Sequence, residues 1–201
     1  MHLSDGLLSW PALASGFAAA GGLFVWSSYK VKDDEIPRIA LFTAAFFVAS
    51  LVHLRMPVGS VHLMFNGLIG VVLGRRALMA FPVGLALQAA LLSHGGFTVL
   101  GVNVCLFGVP ALICWQGYEW LCRWRPQWRA VIGGVLGGFA VLLTGAFWML
   151  LLLWTGEEFR YLAEFAFLAH LPVAIIEGVV TGFVISYLYR VQPSLVARVE
   201  Q

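Results

Sequence analysis

Apolar residues fill most of the chain in long runs, and short polar stretches separate the runs. A helix needs roughly 17 to 25 apolar residues to cross a bilayer, so runs of about that length predict membrane-spanning helices. The pattern predicts six of them, over 11–29, 39–54, 77–93, 99–121, 130–155 and 162–189. A seventh run, 61–74, is too short and is followed by Arg75 and Arg76. We predict there either a tilted short helix or a half-helix fed by a loop that dips into the membrane.

The composition places the chain among membrane proteins. Of its 201 residues, 61% are hydrophobic and 11% are charged, whereas soluble domains are nearer half apolar and a quarter charged. This excludes a water-soluble globule, and the short charged islands between long apolar runs exclude an intrinsically disordered chain. We therefore predict an all-α, polytopic helical membrane protein of about seven transmembrane segments, with residues 1–201 as a single transmembrane domain.

The lysines and arginines are distributed unevenly between the two predicted sides of the membrane. If the amino terminus faces outward, all of the 12 except Arg55 and Arg160 fall on the inner side. Cytoplasmic loops carry the excess of positive charge, so this count predicts an outward amino terminus and an inward carboxyl terminus. The outer face then gathers four segments, namely the amino-terminal arm 1–10 and the loops 55–62, 94–101 and 156–161.

Several function classes are excluded by what the sequence lacks. There is no GxxxxGK[ST] phosphate loop, so the chain is not expected to hydrolyse ATP, and there is no HExxH zinc motif. No basic patch suggests a nucleic-acid partner. The first ten residues contain no lysine or arginine, so they do not resemble the positive start of a cleaved signal peptide, and the amino terminus is expected to survive.

Histidines supply the candidate chemistry. A free α-amine, the amide nitrogen of His2 and its imidazole Nδ1 can close chelate rings around one ion, which leaves one more nitrogen to complete a planar set suited to Ni(II) or Cu(II). His62 is the strongest candidate for the fourth ligand, because irregular backbone precedes it at membrane depth. His53 is an alternative, and His94 is better placed to orient a ligand than to bind the ion. A single interfacial histidine can also simply bond to headgroups or water.

Four motifs occur in order along the chain. They are Met1-His2-x-x-Asp5-Gly6; Ser60-Val61-His62-Leu63 with Asn66-Gly67-Leu68-Ile69-Gly70; Gln88 with Ser93-His94-Gly95-Gly96-Phe97-Thr98-x-Leu100-Gly101-Val102-Asn103; and His170-Leu171-Pro172 with Glu177-Gly178 and Thr181-Gly182. Together they resemble the CbiM/NikM family, the substrate-capture membrane components of energy-coupling-factor transporters for cobalt and nickel. The resemblance spans nearly the whole chain.

The resemblance implies a ligand set, a substrate and partners. The metal ligands would be the α-amine of Met1, the backbone and side-chain nitrogens of His2, and the side chain of His62. The chain would be a transport component and not an enzyme. No cofactor would be permanently bound, since Co(II) or Ni(II) is the substrate, in some members for cobalamin synthesis. The implied partners are a coupling transmembrane subunit, cytoplasmic ATP-binding subunits and often a small auxiliary membrane subunit. The location would be the cytoplasmic membrane of a bacterium or archaeon.

Other polar residues are candidates for support or coupling. Asp5 either caps a helix start or fixes the amino-terminal arm. Ser60, His94 and Asn103 are expected to support the ligands or their loops. His170 and Glu177 lie seven residues apart on one helix face, so they form a buried compensating pair, transmit the substrate state to partners, or act as a proton relay in an ion-coupled carrier or membrane-embedded enzyme.

Overall fold

The computed structural model describes residues 2–55, 60–156 and 159–196. Within these residues the regular secondary structure is helical apart from one short hairpin. The α-helices are α1 (Trp10–Ser28), α2 (Ile36–Ala49), α3 (Asn66–Leu73), α4 (Ala77–Leu92), α5 (Leu100–Trp124), α6 (Arg129–Thr155) and α7 (Arg160–Val191). The hairpin pairs β1 (His53–Arg55) with β2 (Ser60–His62) in antiparallel register. The prediction of an all-α fold is confirmed in outline, and each predicted apolar run contains a helix.

Four helical stretches in the described part are long and apolar enough to cross a membrane. They are Asn66–Leu92, Leu100–Trp124, Pro126–Thr155 and Arg160–Val191. Helix α2 has 14 residues, which at 1.5 Å per residue gives about 21 Å, less than the ~30 Å hydrocarbon core. The first of the four stretches is interrupted at Gly74, so the multi-pass character follows from the other three. The number of seven crossings and the orientation stay predictions.

The chain reverses direction between α3 and α4. A straight helix over the 27 residues Asn66–Leu92 would be about 40 Å long. The imidazoles of His62 and His94, which flank this stretch, nevertheless lie 5.5 Å apart between ring centroids. The turn is at Gly74, where φ is 59° and ψ is −135°, a left-handed conformation that favours glycine. Helix α3 is therefore a separate, fully buried element of eight residues.

Small residues allow the helices around α3 to pack closely. A Cβ atom at Gly67 of α3 would lie 2.7 Å from the Cα of Gly137 in α6, and one at Gly134 of α6 would lie 2.9 Å from the carbonyl oxygen of Gly178 in α7. No side chain fits at either position. In lipid, where apolar burial does not drive helix association, such close backbone contacts hold helices together.

Arg76 closes the fold at the end opposite the histidines. This residue, 4% exposed, forms an ion pair with Glu35 at 2.8 Å and donates to the carbonyl oxygens of Tyr29 at 3.1 Å and Lys30 at 2.9 Å. A buried guanidinium is tolerated only when its donors are used in this way. The contacts fasten the turn between α3 and α4 to the connection between α1 and α2.

Candidate metal centre

Three imidazoles from three different segments meet at one end of the fold. His2 lies in the arm before α1, His62 ends β2, and His94 lies in the turn after α4. One ring nitrogen of each lies within 4.8 Å of the others. Two donors on opposite sides of an ion, each about 2.0–2.1 Å from it, are about 4.2 Å apart. Modest rotation of the rings therefore brings the three nitrogens to the separation that a transition metal requires.

The hydrogen bonds assign the tautomers of two of these rings. The Nδ1–H group of His62 donates to the carbonyl oxygen of Leu63 at 2.9 Å, so the lone pair of a neutral His62 ring is on Nε2. That Nε2 lies 3.1 Å from Nε2 of His2, which must then be the donor. The remaining lone pair of His2 is consequently on Nδ1. Among the described residues this atom is buried and accepts no hydrogen bond, and it is the atom that the chelation argument requires.

The surroundings of His2 favour a neutral ring. Its ring stacks on that of Phe107 in α5, with 5.3 Å between centroids and an interplanar angle of 27°. Burial, the largest cause, lowers the pKa of His2 well below its usual value, and the neighbouring His62 and His94 lower it further. A neutral imidazole is the form that binds a metal.

Asn103 fastens the amino-terminal arm to α5. The backbone N–H of Leu3 donates to Oδ1 of Asn103 at 3.1 Å, and Nδ2 of Asn103 donates back to the carbonyl oxygen of Leu3 at 3.2 Å. Asn103 is 2% exposed and Leu3 is fully buried. This reciprocal pair acts directly beside His2, so it sets the position of the histidine in the cluster.

Asp5 provides a second attachment for the arm. Its Oδ1 accepts hydrogen bonds from the backbone N–H of Thr98, at 3.1 Å, and from the Thr98 hydroxyl. Gly96 lies against this carboxylate, and a Cβ at position 96 would overlap it. Gly95 has a φ of +81°, which glycine adopts at little cost. The two glycines after His94 thus let the arm approach the loop that carries this histidine.

His170 and Glu177 of α7 have separate partners. Both carboxylate oxygens of Glu177 accept backbone hydrogen bonds, one from Met64 and one from Phe65. The Nδ1–H group of His170 donates to the carbonyl oxygen of Ala166 in its own helix. No hydrogen bond joins the two side chains in the described structure, so neither a compensating pair nor a proton relay has a direct link there.

The structure does not describe the side chains of three residues named in the sequence analysis, namely the predicted ligand Met1, the alternative ligand His53 and the predicted loop support Ser60. Met1 lies outside the described residues. Ser60 is in β2, where its backbone pairs with Arg55, and His53 pairs with His62 in the same register. The side chains of Ser60 and His53 are also outside the described part.

The sequence did not predict two residues that contact the site, namely Phe107, which stacks on His2, and Thr98, which donates to Asp5. Phe107 follows Asn103 by four residues and therefore shares its face of α5, a spacing that could have pointed to it. Thr98 stands inside the third motif, but nothing in the pattern distinguished it from its neighbours.

The fold and the cluster together define a polytopic helical membrane protein with a partly buried three-histidine site at one end. The family described as "Cobalt uptake substrate-specific transmembrane region" (CbiM) matches residues 2–195. The chain belongs to this family, which confirms the resemblance seen in the motifs.

Relatives and a solved structure agree with this assignment. A Haemophilus influenzae protein with the provisional name metal transport protein is 35% identical, over 100% of this chain and 98% of its own length. A fused protein of Archaeoglobus fulgidus, provisionally named nickel transport protein NikMN, is 24% identical over 98% of this chain and 68% of its own length. A crystal structure described as a truncated transition metal transporter shares the fold, with a TM-score of 0.76 and 24% identity, covering 94% of this chain and 99% of that one. The chain is therefore a membrane component of cobalt or nickel transport.

Proposed function

We propose that this chain captures Co(II) or Ni(II) as a substrate through His2 and His62, at the end of the fold where its amino-terminal arm closes over the cluster. The observation that carries the proposal is the convergence of three ring nitrogens within 4.8 Å, in a protein whose remaining interior is mostly apolar. Ionisable groups inside a membrane protein are costly and mark functional sites. The family description names cobalt, and one relative is provisionally named for nickel.

The proposed ligand set follows the chelation chemistry. His2 contributes Nδ1 and its backbone nitrogen, Met1 contributes its α-amine, and His62 contributes Nε2. Such a nitrogen set suits Ni(II), and oxygen-seeking ions such as Mg²⁺ are disfavoured. His94 lies close enough to be a further donor or to orient one. Titration calorimetry with each ion separately tells cobalt from nickel.

We further propose that energy for uptake comes from partner subunits. The sequence holds no phosphate loop, so ATP-binding subunits in the cytoplasm, a coupling transmembrane subunit and often a small auxiliary subunit would complete an importer of the energy-coupling-factor type in the cytoplasmic membrane. Supply of cobalt for cobalamin synthesis is one use of such an importer. Co-purification of the tagged chain with an ATPase, and ATP-dependent uptake by the reconstituted complex, test this part.

The decisive test of capture alters the amino terminus alone. The purified full chain is compared with a version that carries one additional residue before Met1, and Ni(II) and Co(II) affinities are measured by calorimetry in detergent. We expect the extension to abolish high-affinity binding, because it displaces the α-amine from the chelate. The matched control adds one residue at the carboxyl terminus and should bind as the parent does. Equal binding by both extended chains would refute the ligand set.

A further inference from the structure

Glu177 connects helix α7 to the segment that carries His62. It is 1% exposed, and its two carboxylate oxygens accept the backbone N–H groups of Met64 and of Phe65, the latter at 2.9 Å. These residues stand between β2 and the start of α3 at Asn66. Amides at the start of a helix have no partner within it, and a buried amide needs one. A side chain more than 110 residues away in the sequence supplies both.

The segment held by Glu177 has a backbone that needs support. Phe65 has a φ of 48° and a ψ of 19°, a left-handed conformation that is costly for a bulky side chain. Such conformations persist where the surroundings impose them. Glu177 accepts hydrogen bonds from the N–H of Phe65 and from the N–H of the preceding residue, Met64. These two bonds hold the turn that directs the chain from β2 into α3.

The same segment orients the imidazole of His62. The Leu63 carbonyl oxygen, one residue before Met64, accepts the hydrogen bond from Nδ1 of His62 and thereby leaves Nε2 facing His2. Contacts therefore run from Glu177 to the backbone of 64–65, from there to the Leu63 carbonyl, and on to the His62 ring. We infer that Glu177 is a positioning residue that sets the metal-binding geometry of His62 from α7. This inference rests on the proposed function.

The test substitutes the carboxylate and measures metal binding by the full chain in detergent. Glu177→Gln keeps the shape of the side chain but replaces one of its two acceptor oxygens with an NH₂ group. This group faces a backbone N–H and cannot accept its hydrogen bond. We expect its Kd for Ni(II) to rise about tenfold or more, from the loss of one hydrogen bond to a charged group, with a change in the ligand-field absorption of bound Ni(II). Glu177→Asp, which keeps both oxygens on a shorter side chain, should weaken binding less.

Thr181→Val provides the matched control. Thr181 lies one turn further along α7, is fully buried, and its hydroxyl makes no hydrogen bond within the described residues. It lies against Gly137 of α6. This variant should bind Ni(II) within twofold of the parent, with the same absorption spectrum. It therefore reports the effect of altering the buried face of α7 without touching the His62 segment.

The outcomes separate the inference from the proposed function. If the parent binds Ni(II), His62→Ala does not, and Glu177→Gln binds like the parent, the inference is wrong and the proposed function stands. Equal weakening by Thr181→Val and Glu177→Gln also overturns it, because the effect then belongs to α7 packing. If Glu177→Gln does not fold, as judged by gel filtration and helical circular dichroism, Glu177→Asp decides, and parental affinity in that variant overturns the inference. If the parent itself binds no metal, the proposed function fails and the inference fails with it.

Discussion

Replacing Asn103 should separate arm docking from metal ligation, because Asn103 holds the arm without belonging to the proposed ligand set. Its side chain makes two hydrogen bonds to the Leu3 backbone. Each such bond contributes about 0.5–1.5 kcal/mol net, so Asn103→Ala should cost arm docking about 2 kcal/mol. In Asn103→Ala the arm is expected to detach into solvent, where water satisfies the Leu3 N–H and carbonyl groups, rather than stay docked with these groups unsatisfied. In the proposed ligand set the metal binds only when the arm is docked, so this cost appears in the affinity as a rise in Kd of up to about 30-fold.

The assay for this prediction is titration calorimetry of the full chain with Ni(II) and with Co(II). Asn103→Asp is the matched variant, since it can still accept from the Leu3 N–H but no longer donates to the Leu3 carbonyl, and it should lie between the parent and Asn103→Ala. Thermal unfolding without metal should change little in either variant, because the arm is a small part of the fold. A Kd for Asn103→Ala within twofold of the parent would refute the reasoning that arm docking limits affinity.

Three further substitutions test other parts of the structure. Gly96→Ala places a methyl group against the Asp5 carboxylate, so it should displace the arm and weaken Ni(II) binding at least tenfold by calorimetry. The control Gly21→Ala, at a position with open space, should leave binding unchanged. Phe107→Ala removes the ring that stacks on His2 and should weaken binding several-fold, with Phe107→Leu in between; unchanged binding would contradict a role for the stack. Arg76→Met should lower the free energy of unfolding by about 3 kcal/mol, seen as a lower melting temperature. It should leave the Kd unaltered, since Arg76 lies at the end opposite the histidines, and a lost metal site would show that the two ends are not independent.

The helices could be predicted from the sequence because each is a long apolar run between polar stretches, and this pattern is local. The reversal at Gly74 could be anticipated for the same reason: the run 61–74 is too short to span and is followed by two arginines. The hairpin β1–β2 was not predicted, because its strands have three residues each and carry no clear alternation. The end of the second predicted segment, 39–54, accordingly extends beyond the helix, which stops at Ala49.

The candidate site was only partly predictable. Its nitrogen donors can be recognised from residue type and position in the sequence, whereas the residues that support them are brought there by tertiary packing. His2 could be singled out by chemistry, since chelation by an amino-terminal residue depends on its position in the chain. His62 could be singled out by the irregular backbone that precedes it. The partner of Glu177 could not be found in this way. Helical spacing shows which face of α7 the carboxylate occupies, but which backbone meets that face depends on how α3 and α7 pack, and the sequence pattern does not contain this information.

The three histidines are held by anchors in three different helices, and this has a consequence for release of the ion. Asn103 of α5 holds the arm of His2, Glu177 of α7 holds the segment after His62, and the Gln88 carbonyl oxygen of α4 accepts the N–H of His94 at 3.2 Å. A shift of one of these helices against the others therefore changes the distances between the nitrogens, and a change of about 1 Å is large against metal–nitrogen distances of about 2.0–2.1 Å. If partner subunits act on the chain as proposed, their rearrangement of the helix bundle would be a sufficient means of lowering affinity, without unfolding of the site and without protonation of the imidazoles.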